Sequence, residues 1–168
     1  MKKVILILVL GLILMVAFGL DAKAQIPKEG TISVTWAYSG TYKALPMGKE
    51  RLQMTFEVIG VIIGDTSEDL FHNASFRCLG SFHAVKGEFN DDSGFCVCTR
   101  LDGDQIFLTY KATGKVGVSA KETHTIVGGT GKLADIQGNA EFTRFGLRRA
   151  AEGTFQGYLK GKGQYKLP

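Results

Sequence analysis

Thr31-Ile32-Ser33-Val34-Thr35-Trp36-Ala37-Tyr38 alternates apolar with small residues without a break, and this period of two decides the fold class. Successive side chains of an extended strand point to opposite faces, so Ile32, Val34, Trp36 and Tyr38 form one dry stripe. Thr31, Ser33, Thr35 and Ala37 form the wet one, the mark of a sheet with a single buried face. From Gly30 onward the same period recurs with glycine punctuation, and no window carries a helical stripe.

A second strand runs through Leu52, Met54, Phe56 and Val58 into Ile59-Gly60-Val61-Ile62-Ile63. There the alternation fails around a glycine, and a bend or bulge is expected. Further strands are predicted over Ala74–Val85, Phe95–Leu101, Gln105–Ala112, Lys121–Val127, Ile136–Phe145 and Gly153–Tyr165. Asp91-Asp92-Ser93-Gly94 and Asp102-Gly103 supply turns between them. Eight sequential strands joined mostly by short turns predict an all-β protein, a single eight-stranded antiparallel up-and-down β-barrel. A sandwich is the alternative. The interior of such a barrel is just wide enough for packed side chains or one small ligand, so the fold alone does not decide whether a site exists.

Residues 1–24 read as a cleavable signal peptide: cationic Lys2 and Lys3, an apolar run from Val4 to Leu20, and the small-residue exit Ala22-Lys23-Ala24. The apolar run has 17 residues, whereas a membrane-spanning helix needs about 20, so no stable membrane anchor is expected after cleavage. No cysteine follows the run, which excludes a lipid-modified product. The expected localisation is secreted or periplasmic, with residues 25–168 forming one barrel domain.

Cleavage removes three of 20 basic and one of 16 acidic residues, leaving 17 against 15. That near-neutral balance points away from a nucleic-acid partner. The denser basic groups, Arg144, Arg148 and Arg149 and the terminal Lys160, Lys162 and Lys166, read as solvated loops and strand faces, with an anionic surface such as lipid headgroups as the alternative for this C-terminal third. Three cysteines in an exporting compartment imply one bridge and one leftover thiol. Cys96 and Cys98, two apart in a strand, lie about 6.5 to 7 Å apart, at the limit for a disulfide, so Cys78 on the preceding strand is the better partner. Cys78 with Cys96 is favoured over Cys78 with Cys98, and the register of the hairpin leaves the choice open. Neither the Cys-x-Cys spacing nor the scattered His72, His83 and His124 gives a metal-ligand pattern, and nothing in the chain asks for a cofactor.

Asp102-Gly103-Asp104 lacks the ligand spacing of a calcium loop and reads as a hairpin turn. Gly128-Gly129-Thr130-Gly131-Lys132-Leu133 lacks the first glycine and the hydroxyl residue of a phosphate loop. Asn73-Ala74-Ser75 matches a glycosylation sequon. Read onward to Ala140, the glycine-rich segment Gly128-Gly129-Thr130-Gly131-Lys132-Leu133-Ala134-Asp135-Ile136-Gln137-Gly138-Asn139-Ala140 resembles the strand-turn-strand signature of the allene oxide cyclase-like (calycin-like) barrels, the superfamily that includes the dirigent proteins. The chain is also similar to small exported bacterial members of unassigned activity that end in a Gly-x-Tyr-Lys-Leu-Pro tail, here Gly163 to Pro168. The resemblance implies a tight hairpin at residues 128–131 and a closed barrel. Family members include cyclases that hold a flexible apolar substrate and dirigent proteins that steer radical coupling. The shared motif shapes the barrel wall and carries none of their catalytic residues, so neither activity transfers with it.

If Ile126 faces inward, period two also turns Glu122 and His124 inward as an acid/base pair. Phe76 and Phe82 suggest an inward phase that takes Cys78 with them. A lumen holding Trp36, Tyr38, Phe56, Phe76 and Phe142 with one histidine and one carboxylate has the makeup of a small apolar-ligand pocket. The alternative is that these aromatics are packed core, with Glu122 and His124 solvated at a rim. Three functions follow in order of expectation: a barrel that binds a small, largely apolar molecule, an isomerase or cyclase using Glu122 or His124, and a structural or surface-interaction barrel with a filled core.

Overall fold

The first strand, β1, spans Glu29–Pro46, and Ile32, Val34 and Trp36 are buried as the alternation requires. The computed structural model describes residues 26–168. The signal peptide expected over residues 1–24 and its cleavage point lie outside the described residues. Seven more strands follow: β2 (Arg51–Gly64), β3 (Ala74–Val85), β4 (Glu88–Thr99), β5 (Gln105–Lys115), β6 (Ala120–Gly129), β7 (Gln137–Leu147) and β8 (Thr154–Lys166). Each pairs antiparallel with its neighbour in sequence. β8 then pairs with β1, with Trp36 opposite Leu159, and closes the barrel. Closure leaves no strand edge to pair with another chain.

Up-and-down topology gives the barrel two unlike ends. The end reached by β1, β3, β5 and β7 carries the short β1–β2, β3–β4 and β5–β6 turns and the β7–β8 connection. The other end is plugged. Buried Leu70 and Phe71 come from the β2–β3 connection, Leu133 and Ile136 from the β6–β7 connection, and Leu167 from beyond β8. Hydrogen bonds fix the plug: the Asp69 carboxylate accepts from the backbone N–H of Ser33 at 2.8 Å and of Phe71 at 2.9 Å. Arg100 also donates to the Leu70 carbonyl.

Four local expectations change. The β3–β4 turn lies at Lys86-Gly87, both with positive φ (54° and 80°) as a tight two-residue hairpin demands, and not at residues 91–94. Strand β4 therefore begins at Glu88 rather than Phe95, and the acidic run lies inside it. No bulge forms around Gly60, since β2 keeps continuous register with both neighbours across 58–62. Its alternation also persists, because Ile59, Val61 and Ile63 are outward and exposed. Gly60 is required for another reason: a Cβ there would stand 2.0 Å from the Ala37 carbonyl oxygen and 2.8 Å from the Phe76 ring. Finally, the segment after Gly129 is no tight hairpin but a longer connection through a 3-10 turn at Gly131–Leu133, and it sends Leu133 and Ile136 into the plug.

Cys78 and Cys96 stand opposite one another in the β3–β4 register and form a disulfide. Cys98 is a free thiol, fully buried, and burial pushes its pKa well up. A neutral buried thiol is a poor nucleophile. Intact-mass analysis of folded protein should accordingly show one bridge and no alkylation, with a single alkylated thiol appearing only after unfolding. Three alkylatable thiols would contradict the pairing.

Candidate functional site

Between the plug and the open end, the lumen holds a cavity of about 400 Å³. Its wall is largely aromatic: Trp36, Tyr38 and Tyr42 from β1, Phe56 from β2, Phe76 and Phe82 from β3, with Phe155 from β8. Trp36 is the packing centre, with ring centroids 4.6 Å from Phe76, 5.0 Å from His124 and 5.8 Å from Phe142. Glycines on the inner wall make room for these rings. A Cβ on Gly157 would stand 2.5 Å from the Tyr38 hydroxyl oxygen, and one on Gly80 would stand 2.0 Å from that of Tyr110.

One side of this cavity is charged. On β6 the inward residues are Ala120, Glu122, His124 and Ile126, so period two places Glu122 and His124 as expected. They are not solvated at a rim: Glu122 is 6% and His124 2% exposed. The inward phase of β7 passes through Ala140 and Phe142 to Arg144. The Arg144 guanidinium meets Glu122 Oε2 through Nε at 2.8 Å and Nη2 at 2.5 Å. Its Nη1 donates to Asp92 Oδ2 at 2.7 Å. Glu122 Oε1 in turn lies 2.6 Å from His124 Nε2.

Asp92 reaches this cluster because it shares the inward phase of Cys96 and Cys98 along β4, and a bulge just before it returns Phe89 to the interior as well. Pairing with β5 shifts register between Phe89 and Asp92, so these two buried residues are three apart instead of two. The Asp91 carboxylate accepts from the His83 backbone N–H at 3.0 Å within the same irregular stretch. Asp92 and Glu122 then both stand opposite Ala112 of β5, one on each side, and the guanidinium bridges the two carboxylates across this small residue.

Ionisation follows from the geometry. Burial pushes the Glu122 carboxyl upward, but Arg144 and His124 outweigh it and hold the carboxyl below its usual range. Asp92 goes the other way, because burial outweighs its attraction to Arg144. The phenols of Tyr38 and Tyr110 are raised, chiefly by burial, and remain protonated at neutral pH. Arg144 is raised further by Glu122 and Asp92 despite its own burial, and stays charged. Among the described residues, four buried polar side-chain atoms have no hydrogen-bond partner: Trp36 Nε1, Asp92 Oδ1, the Tyr110 hydroxyl and His124 Nδ1. Asp92 and Tyr110 act on each other's ionisation without meeting in hydrogen-bond geometry.

Trp36, Tyr38, Phe56, Phe76, Glu122 and His124 thus all line the cavity, whereas Phe142 packs below it around a void of about 10 Å³. Arg144, Asp92 and Tyr110 escaped the sequence reading. The parity that turns Phe142 inward also turns Arg144 inward, yet its nearness to Arg148 and Arg149 makes it read as part of a solvated basic group. Asp92 shares the phase of Cys96 and Cys98, but its run resembles a turn and hides that signal. Among the described residues, no three His, Cys, Asp or Glu side chains form a metal-holding group.

No protein-family model matches the chain. No curated protein matches it either. Among solved structures it is similar to the pterocarpan synthase dirigent protein GePTS1, with a TM-score of 0.48 and 10% identity, covering 88% of this chain and 95% of that one.

Removing the guanidinium strands two carboxylates in a low-dielectric wall. Arg144→Met should destabilise the barrel by about 3–5 kcal/mol at neutral pH. Both stranded groups would then have raised pKa values in the folded state, so the folded variant binds protons before the unfolded chain does. Its stability should recover as pH falls toward the ordinary carboxylate range. In the native protein Glu122, held low, contributes stability at neutral pH that is lost only as pH falls through its depressed value. Denaturant unfolding of both proteins from pH 7 to pH 4 checks this, and a pH-independent loss would contradict it.

Proposed function

We propose that this chain is an exported barrel that binds one small, largely apolar molecule in the open part of its lumen without transforming it. One observation carries the reading: the lumen is packed solid at the plugged end and encloses about 400 Å³ among aromatic side chains at the other. That volume falls in the range of small-molecule sites, which are mostly apolar with a few placed polar groups. A filled structural barrel would have no use for such a space. The Cys78–Cys96 disulfide is compatible with export.

A binder is favoured over an isomerase by the state of the acid/base pair. Both oxygens of Glu122 are engaged, its carboxyl is held ionised, and its imidazole partner is tied to it through Nε2. A catalytic proton carrier needs a free position and a pKa near the working pH. The cyclase or isomerase remains the second reading, because Asp92 and Glu122 share one arginine while their ionisation is driven in opposite directions. Divergent carboxylates of this kind mark acid/base sites elsewhere.

Val58, half-buried, lines the cavity, so Val58→Trp would fill the space without removing a polar group. The native protein should enhance the emission of the neutral apolar dye N-phenylnaphthylamine at one site per chain. Val58→Trp should lower that affinity at least tenfold while the variant still unfolds cooperatively. Equal binding by both proteins would place the dye outside the lumen and sink the proposal.

A further inference from the structure

The charged wall of the cavity has hydrogen-bonding capacity that the protein does not use. A guanidinium offers five N–H donors. Three of those of Arg144 are accounted for, through Nε and Nη2 to Glu122 and Nη1 to Asp92. Two remain. Its side chain keeps 21% exposure and lines the cavity. The Tyr38 phenol lies close enough for Arg144 and Glu122 to act on its ionisation, and it lines the same space half-buried. Raised by burial, it stays protonated and can donate.

The charge around these donors selects what they can accept. Glu122 is ionised and cancels the arginine, and Asp92 adds negative charge whenever it ionises. Lys115 and Arg149, both exposed, line the cavity at its open end, but beside Arg144 an incoming anion would meet a cluster that is neutral or negative and would have to leave water for it. A neutral oxygen keeps the hydrogen bonds and avoids that cost. A pure hydrocarbon leaves the donors dry and unpaired, which is itself unfavourable.

We infer that the occupant carries a neutral oxygen acceptor, such as the carbonyl of a ketone, aldehyde or ester, which docks on Arg144 and Tyr38 while its apolar body lies among Phe56, Phe82 and Phe155. This rests on the pocket reading above and adds the chemical class and orientation of the ligand.

Three naphthalenes of one size test it by calorimetry: acetylnaphthalene, isopropylnaphthalene and naphthoate. The ketone should bind roughly tenfold more tightly than the hydrocarbon, and the carboxylate more weakly than the ketone. Tyr38→Phe removes one hydroxyl and no packing. It should erase several-fold of the ketone's advantage and leave hydrocarbon binding unchanged. Equal affinity of ketone and hydrocarbon, or tightest binding of the carboxylate, would overturn the assignment while leaving the pocket intact. Failure of all three to bind the native protein would overturn the pocket reading and this inference with it.

Discussion

Arg144 cannot be buried alone, and the interior of this barrel is arranged around that constraint. An unpaired guanidinium in a low-dielectric wall would cost several kcal/mol, so two carboxylates come to it from different strands: Glu122 from β6 and Asp92 from β4. β5 lies between those strands, and Ala112 stands opposite both acids. A larger residue there would separate the charges from their counter-ion. Regular alternation along β4 turns Asp92 inward with Cys96 and Cys98, and the bulge before it keeps Phe89 inside too.

The charged cluster also separates two kinds of packing. Toward the plug, Trp36 and His124 stack down onto Phe142 and Phe71, and the remaining void is about the size of one water molecule. On the other side the aromatic rings line a space without filling it. A network of buried polar groups is rigid only when its members are paired. Here the paired members face one another, and Arg144, which has donors to spare, also lines the cavity.

The fold was legible in the sequence because alternation is a local signal that closure of the barrel does not override. Trp36, Tyr38, Phe56 and Phe76 could be placed in the lumen from parity alone. The same parity placed Glu122 and His124 inward, although their burial depends on Arg144, which no local pattern ties to them. Asp92 was illegible for a definite reason: it shares the parity of Cys96 and Cys98, but Asp-Asp-Ser-Gly is the composition of a turn and ends the strand too early. The true turn at Lys86-Gly87 was missed because only its second residue is a glycine. Apolar residues at Ile59, Val61 and Ile63 misled in the opposite sense, since an exposed outer face can carry them without disturbing the strand.

The central claim is that the open part of the lumen is built to be occupied, and native mass spectrometry of the protein purified from its own host tests it most directly. The account predicts one small molecule bound per chain, released when the chain unfolds and extractable into organic solvent as a neutral, oxygen-bearing compound. A homogeneous bare chain from that source, which also fails to take up any apolar molecule from its own host's extract, would contradict it.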